Sequence, residues 1–301
     1  MASTLRHSLT TATVGVGALG ASVAAYATLI ERRWYQLRHV SLPGVLRRPG
    51  RLGVLHVSDL HLLPGQDHRM AFLARLGELD HDLTVITGDL LGAPGTEELS
   101  ADAVAPLLGE GRPGLVVLGS NDRFGPVVKA PWRYLTEPGH RAHGQPLDTP
   151  RLVARLGDHG YRVLVDRTER VETRAGTVTA TGLDDPHLPW TRLPSAAELG
   201  EVDADALLHL GLVHSPYLAA LDTLVDAGCD LLLAGHTHGG QVRVPGLGAL
   251  VANCDLPLDQ VRGASRHGGR WLHVSAGLGH SRYAPIRFAC PPEATLLELT
   301  D

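Results

Sequence analysis

The sequence predicts an α/β protein. Three observations lead there: short apolar runs alternate with amphipathic stretches after residue 50, turn residues bound nearly every run, and 44% of the 301 residues are hydrophobic. Gly53–Ser58 reads as a buried strand, Asp67–Leu79 as a helix, Leu83–Thr87 as a strand and Glu97–Leu108 as a helix. Leu115–Leu118 is a third strand. Thr149 and Pro150 suit an N-cap and first helical residue, so a helix is expected over Arg151–His159, stopped by Gly160. From Val163 to Gly182 the pattern is that of a hairpin. Further strands are expected at Ala206–Val213, Asp230–Ala234, Trp271–Ser275 and Thr295–Leu299, with a helix over Pro216–Asp226.

Composition excludes several classes. The chain is too polar for a polytopic membrane protein and too apolar for a disordered one, and it shows no fibrous repeat. Three widely spaced cysteines, Cys229, Cys254 and Cys290, make neither a disulfide framework nor a cysteine zinc site. Seventeen histidines suggest that imidazole serves as ligand or acid. Charge is uneven: residues 1–50 carry six arginines against Glu31, or +5, and the rest carries 21 basic against 31 acidic residues, or −10. A basic leader on an acidic body argues against nucleic-acid binding, which needs its positive patch on the folded domain.

That leader raises a membrane question. Leu9–Ile30 holds no charged residue and is about long enough to cross a bilayer as a helix. Arg32, Arg33, Trp34 and Tyr35 follow it as candidate interfacial anchors. The expectation is a single-pass N-terminal anchor in the cell membrane, with the body on the cytoplasmic side by the positive-inside rule. A cleaved secretory signal is the alternative, with Ala25-Tyr26-Ala27 as a small-x-small site.

The chemistry gathers at strand ends. The first strand runs into Ser58-Asp59-Leu60-His61, the second into Gly88-Asp89, and the third into Gly119-Ser120-Asn121-Asp122. Ala206–Val213 is followed by His214, and Asp230–Ala234 by Gly235-His236-Thr237-His238-Gly239-Gly240. Five strands thus deliver Asp, His and Asn to their carboxyl ends, the edge where open α/β sheets form their ligand crevice.

In this order, Asp-x-His, Gly-Asp, an Asn-bearing Gly turn, His and Gly-His-x-His resemble the calcineurin-like metallophosphoesterase superfamily over about residues 52–299. The stretch 235–245 is similar to a membrane-anchored bacterial branch that includes YkuE-like phosphoesterases and one type of UDP-diacylglucosamine pyrophosphatase. The resemblance implies a four-layer αββα sandwich, two facing mixed β-sheets flanked by helices. It divides the chain into an N-terminal transmembrane anchor and basic linker, 1–50, and a metallophosphoesterase domain, 51–301.

It also implies two divalent metal ions. Asp59, His61 and His238 would hold the first, His214, His236 and the turn Asn the second, and Asp89 would bridge them. Imidazole ligands favour Mn, Fe or Zn over Mg. A hydroxide shared by the ions would attack the phosphorus of a phosphomonoester, phosphodiester or pyrophosphate. The implied substrate is a phosphorylated small molecule or a lipid-linked phosphate.

One motif departs from the family pattern. Where most members carry Gly-Asn-His-Asp/Glu, this chain has Gly119-Ser120-Asn121-Asp122. Either Ser120 takes the ligand place, or a one-residue slide leaves Asn121 as ligand; an amide oxygen is the better donor. The usual histidine is absent in both alignments. That predicts a good leaving group or a substitute acid such as Asp122, acting beside Asn121.

Two further stretches attract interest. Residues 123–148 hold Arg123, Lys129, Arg133, His140, Arg141 and His143 with Phe124, Trp132 and Tyr134, and read either as a surface excursion or as a cap receiving phosphate and a base or acyl chain. Gly277-Leu278-Gly279-His280-Ser281 reads as a turn near the site, lacking the Gly-x4-Gly-Lys-Ser/Thr pattern of a nucleotide loop. Arg243 and Arg287 read as surface arginines or phosphate contacts. The altered third motif alone favours a rival reading, a non-catalytic binding platform of the same fold at the membrane.

Overall fold

The computed structural model describes residues 17–109, 111–127, 143–280 and 282–301. Two six-stranded mixed sheets face each other. The first has strand order β1 (Gln36–Leu42), β14 (Glu293–Thr300), β2 (Arg51–Val57), β3 (Leu83–Thr87), β4 (Gly114–Val117), β5 (Tyr161–Val163). The second runs β12 (Gly263–His267), β13 (Arg270–Val274), β9 (Leu231–Ala234), β8 (Leu208–Leu212), β7 (Gly176–Gly182), β6 (Arg167–Thr173). Strands β2, β3, β4 and β5 are mutually parallel, as are β7, β8, β9 and β13. A small antiparallel pair, β10 (Arg243–Val244) and β11 (Gly248–Ala249), stands apart.

Alternation along each strand builds the layers. Leu52 and Val54 of β2, Val85 of β3 and Val117 of β4 point inward against Leu210, Leu212, Leu231 and Leu233 of the second sheet. Their neighbours Leu55, Val57 and Ile86 point outward under helices α1 (Asp67–Gly77), α2 (Glu97–Val104) and α3 (Thr149–Asp158). Helix α4 (Leu218–Asp226) covers Leu232 and Val274 on the other outer face. Each fully buried leucine contributes roughly 2 kcal/mol, and a one-residue slip would turn every inward leucine outward, so the register is firmly specified. The four-layer αββα arrangement is therefore present.

Local differences from expectation have physical causes. The helix begun at Glu97 stops at Val104 and continues as 3₁₀ turns over Ala105–Leu108, because Pro106 offers no backbone N–H and clashes with the preceding turn. Asp148, not Thr149, caps α3 by accepting from the Arg151 N–H, while the Thr149 hydroxyl donates to the Asp122 carbonyl. Five strands lay outside the sequence reading: β1, β12, the short edge strand β5, and the small pair β10 and β11. Histidine richness is only partly about a site: His56, His81, His209 and His273 are buried elsewhere and hydrogen-bonded in the framework.

The single-pass anchor, and the cell-membrane placement drawn from it, must be corrected. Among the described residues no helix is long and apolar enough to cross a membrane. The exposed helix over residues 17–25 gives way to a π turn at Tyr26–Ile30 and a 3₁₀ turn at Glu31–Arg33, and residues 26–33 dock on the body. Ala27 and Glu31 are buried, the Cys290 N–H donates to Glu31 Oε1 at 2.6 Å, and the Arg287 N–H donates to the Ala27 carbonyl at 3.1 Å. Tyr35, expected at a lipid interface, stacks on Phe72 of α1 at 5.4 Å.

Candidate metal centre

The carboxyl ends of β2, β3 and β4 meet those of β8 and β9 along one edge of the sandwich, and all seven candidate ligands arrive there. Oxygen and nitrogen atoms of Asp59, His61 and His238 lie within 4.8 Å of one another, as do those of Asp59, Asp89 and His214. Asp59 belongs to both groups. His236 joins through its backbone, whose N–H donates to Asp59 Oδ2 at 3.0 Å, and its ring lies 5.2 Å from that of His214. Asn121 sits on Asp89: its backbone N–H donates to Oδ1 at 2.8 Å and its amide to Oδ2 at 2.7 Å.

The backbone is strained where it presents these groups. Nine non-glycine residues among those described have left-handed φ, and five are candidate ligands: Asp59, His61, Asp89, His236 and His238. Such conformations each cost on the order of 1–3 kcal/mol and persist where surrounding structure enforces them, commonly at functional sites. Close approach also demands glycine. A Cβ on Gly119 would stand 2.8 Å from His214 Nε2, and one on Gly235 would stand 2.6 Å from Asp59 Oδ2.

The donor set fits a cation. His214 is fully buried and donates Nδ1–H to the Thr87 carbonyl at 2.6 Å, so a neutral ring must present a lone pair at Nε2. That atom is buried without a hydrogen-bond partner and faces Asp89 Oδ2 at 3.3 Å, a contact that either a proton on the ring or a cation must bridge. His61 and His238 bring their Nε2 atoms to 3.2 Å from each other. A cation fits between these groups, because each ring can turn a lone pair toward it.

Without a metal ion a proton takes the place of one: burial pushes the His214 ring down, but Asp89, Asp185 and Asp59 outweigh it and hold the ring well above its ordinary value. Burial pushes the Asp59 carboxyl up to about 6, with His214 pulling against it. Burial pushes His61 down to about 4, and burial with His61 and Arg287 beside it holds His238 well below its ordinary value. Burial acts upward on Asp89 but the His214 ring outweighs it, keeping this carboxyl well below the usual range. Asp59 and Asp89 are the anions of the cluster, and His61 and His238 are neutral donors.

Asp122 needs correction. It was expected as a substitute acid, but it is fully buried and its two oxygens accept the backbone N–H groups of Asp89, Leu90, Leu91 and Gly119. It shapes the turns that carry Asp89 and Asn121 rather than facing the cleft. Burial and nearby Asp89 push its carboxyl up to about 7 against those four donors.

Arg287 is also not a surface residue. Its guanidinium is fully buried, donates to the carbonyls of Ala276, Gly277, Gly279 and Cys290, and lies 3.4 Å from His238 Nδ1. The glycine turn that it pins folds over Asp59, with the Leu278 N–H donating to the Ser58 carbonyl. Arg243 donates to the Gly239 carbonyl. Arg123 pairs with Asp184 at 2.5 Å. Lys129, Trp132, Arg133, Tyr134, His140 and Arg141 of the expected cap lie outside the described residues, as does Ser281.

Sequence reasoning missed His187. It lies in the loop after β7, lines the same cleft as His61, Asp89, Asn121, His236 and His238, and its ring stands 4.6 Å from that of His236. The available signal was another parallel strand running into Asp184-Asp185-Pro186-His187 at the same sheet edge.

Residues 52–240 match the sequence profile of the calcineurin-like phosphoesterases. The chain belongs to that family. It is 30% identical to the uncharacterized metallophosphoesterase YkuE of Bacillus subtilis (strain 168) over 254 residues, covering 81% of this chain and 76% of that one. It is 28% identical to the phosphodiesterase YaeI of Escherichia coli (strain K12) over 286 residues, covering 91% and 92%. The family typically works with a dinuclear divalent metal centre, and this chain is a metal-dependent phosphoester hydrolase. The non-catalytic platform is set aside, and no membrane-anchored branch is established.

Proposed function

We propose that the protein hydrolyses a phosphodiester or pyrophosphate at a two-ion centre, with Asp59, His61 and His238 holding one divalent ion, and His214, His236 and Asn121 the other. Asp89 faces both. The observation that carries this reading is the double cluster sharing Asp59, with the His214 lone pair turned toward Asp89. The phosphodiesterase name of the Escherichia coli relative supports the diester. Four imidazoles favour Mn, Fe or Zn over Mg. Bound there, two divalent ions supply charge that neutralises phosphoryl oxygens and acidifies an attacking water.

The chain's own groups do the rest. Asn121 is fixed on Asp89 by two hydrogen bonds, so its amide is positioned before substrate arrives. Arg282 lines the cleft as a cation for phosphate. His187 takes the place of the missing third-motif histidine, donating a hydrogen bond to the phosphoryl group.

Two measurements test this. Metal-stripped protein should regain hydrolysis of bis-p-nitrophenyl phosphate with Mn²⁺ and bind two ions per chain in a calorimetric titration; absence of turnover with Mn²⁺, Fe²⁺ and Zn²⁺ alike would refute the reading. His187→Asn should lower kcat about 10²-fold at unchanged ion stoichiometry, the usual scale for one positioned donor. Wild-type kcat in that variant removes His187 from the chemistry.

A further inference from the structure

An aromatic recess adjoins the metal centre. Phe124 and His143 line the cleft, and Trp190 contacts both. The ring centroids are 5.2 Å apart for Phe124 and His143, 5.4 Å for Phe124 and Trp190, and 5.6 Å for His143 and Trp190, with planes inclined at 50°, 69° and 56°. The three rings come from separate stretches of chain, each tied to the site. Phe124 follows Asn121 by three residues, and Trp190 follows His187 by three. Backbone hydrogen bonds from Gly125 to Gln145 and from Leu147 to Arg123 lock the Phe124 stretch against the one carrying His143.

Trp190 is 58% exposed, although its ring already has two aromatic neighbours. An exposed indole packed against two cleft-lining rings is a surface for a ligand's ring, since aromatic faces gain most when a second planar group covers them. The cleft measures about 330 Å³, enough for a phosphoryl group and one ring system. Its walls are mixed: the His143 imidazole, the Asn253 and Gln241 amides and Arg282 sit among the apolar groups. An acyl chain would strip water from these groups and return no hydrogen bonds, whereas a heteroaromatic ring carries its own donors and acceptors.

We propose that this recess binds a planar heteroaromatic group, a nucleobase in its commonest form, on the arm of a phosphodiester that stays attached to phosphorus. The proposal rests on the hydrolase reading above and adds the substrate class. Stacking selects for the ring, while Asn121 and His187, each three residues from one of these aromatics, face the phosphoryl group in the same cleft. Phe124 and Trp190 are then specificity residues.

The test uses two substrates with one leaving group. The p-nitrophenyl ester of thymidine 5′-phosphate and methyl p-nitrophenyl phosphate are compared with the full chain and Mn²⁺. The expected kcat/KM ratio is about tenfold in favour of the nucleoside ester, carried by KM, the scale of one base stacked on an aromatic side chain. Trp190→Ala and Phe124→Ala should bring the ratio toward one, and Trp190→Phe should keep most of it. A wild-type ratio near one, with both esters turned over, overturns the substrate class and leaves the hydrolase intact. An octyl p-nitrophenyl ester that outperforms the nucleoside ester also overturns it, in favour of a chain-binding groove. Turnover of no ester with any divalent ion removes the hydrolase reading, and this proposal falls with it.

Discussion

Asp89→Asn is expected to lower kcat/KM on bis-p-nitrophenyl phosphate about 10³-fold while the fold survives. The carboxylate is nearly buried, accepts both hydrogen bonds from Asn121, and stands 3.3 Å from His214 Nε2 and 3.5 Å from His61 Nε2. Asparagine keeps the shape and loses the charge. It also replaces one acceptor oxygen by an NH2 group, so either the backbone N–H or the side-chain amide of Asn121 loses its acceptor. A 10³-fold loss corresponds to about 4 kcal/mol of transition-state stabilisation, within the range for removing a preorganised charge contact. The effect on folding should differ in kind. Asp59, Asp122 and Asp185 are buried nearby, and Asp89 adds to the upward push on each of their carboxyls. Asp89 is itself held well below the usual carboxylate range beside the raised His214 ring, however, so its charge stabilises the fold at neutral pH, and without added metal Asp89→Asn should melt below wild type. The kinetic assay with saturating Mn²⁺ and a thermal melt in chelator read the two sides; near-normal activity would deny Asp89 its place between the ions.

The legibility of this protein in its sequence follows from where chemistry and topology coincide. Parallel strands buried on both faces read as continuous apolar runs, and Leu83–Thr87 is identical in sequence reading and structure. Each such run ends abruptly in glycine or a polar residue, so the candidate ligands Asp59, Asp89, His214 and His236 announce themselves. Edge strands do not. β1 carries Arg38 and His39 and lies at the end of its sheet, where its partner β14 begins more than 250 residues later along the chain. No periodicity within seven residues reveals such a partner. Expected roles failed for two charged residues because burial is not a local property. Asp122 beside a ligand motif looks like an acid, and only the fold reveals four backbone N–H groups converging on it. Arginine is almost never fully buried, so Arg287 reads as surface until the loop carbonyls around it are in place.

Arg287→Met should be the most destabilising single change outside the ligand set. The substitution keeps a long, flexible apolar stem and removes the donors. Carbonyls of Ala276, Gly279 and Cys290 would lose the guanidinium inside a buried turn, while that of Gly277 keeps the Glu293 N–H. Each buried acceptor left without a partner costs about 1–3 kcal/mol, so a loss of roughly 4 kcal/mol is expected. Urea unfolding should register it as a lower midpoint at unchanged slope. The damage should also reach the site, because the same turn folds over Asp59 and the guanidinium touches His238. Affinity for the ion assigned to Asp59, His61 and His238 should fall, while the one assigned to His214 and His236 binds nearly as before. Arg287→Lys offers one ammonium to carbonyls that a planar fork serves at once, and should recover only part of the stability. A variant with wild-type unfolding and two unaltered ion affinities would mean that the turn holds its shape without the guanidinium, and the strained backbone at Asp59 must then be held by the β2 and β9 ends alone.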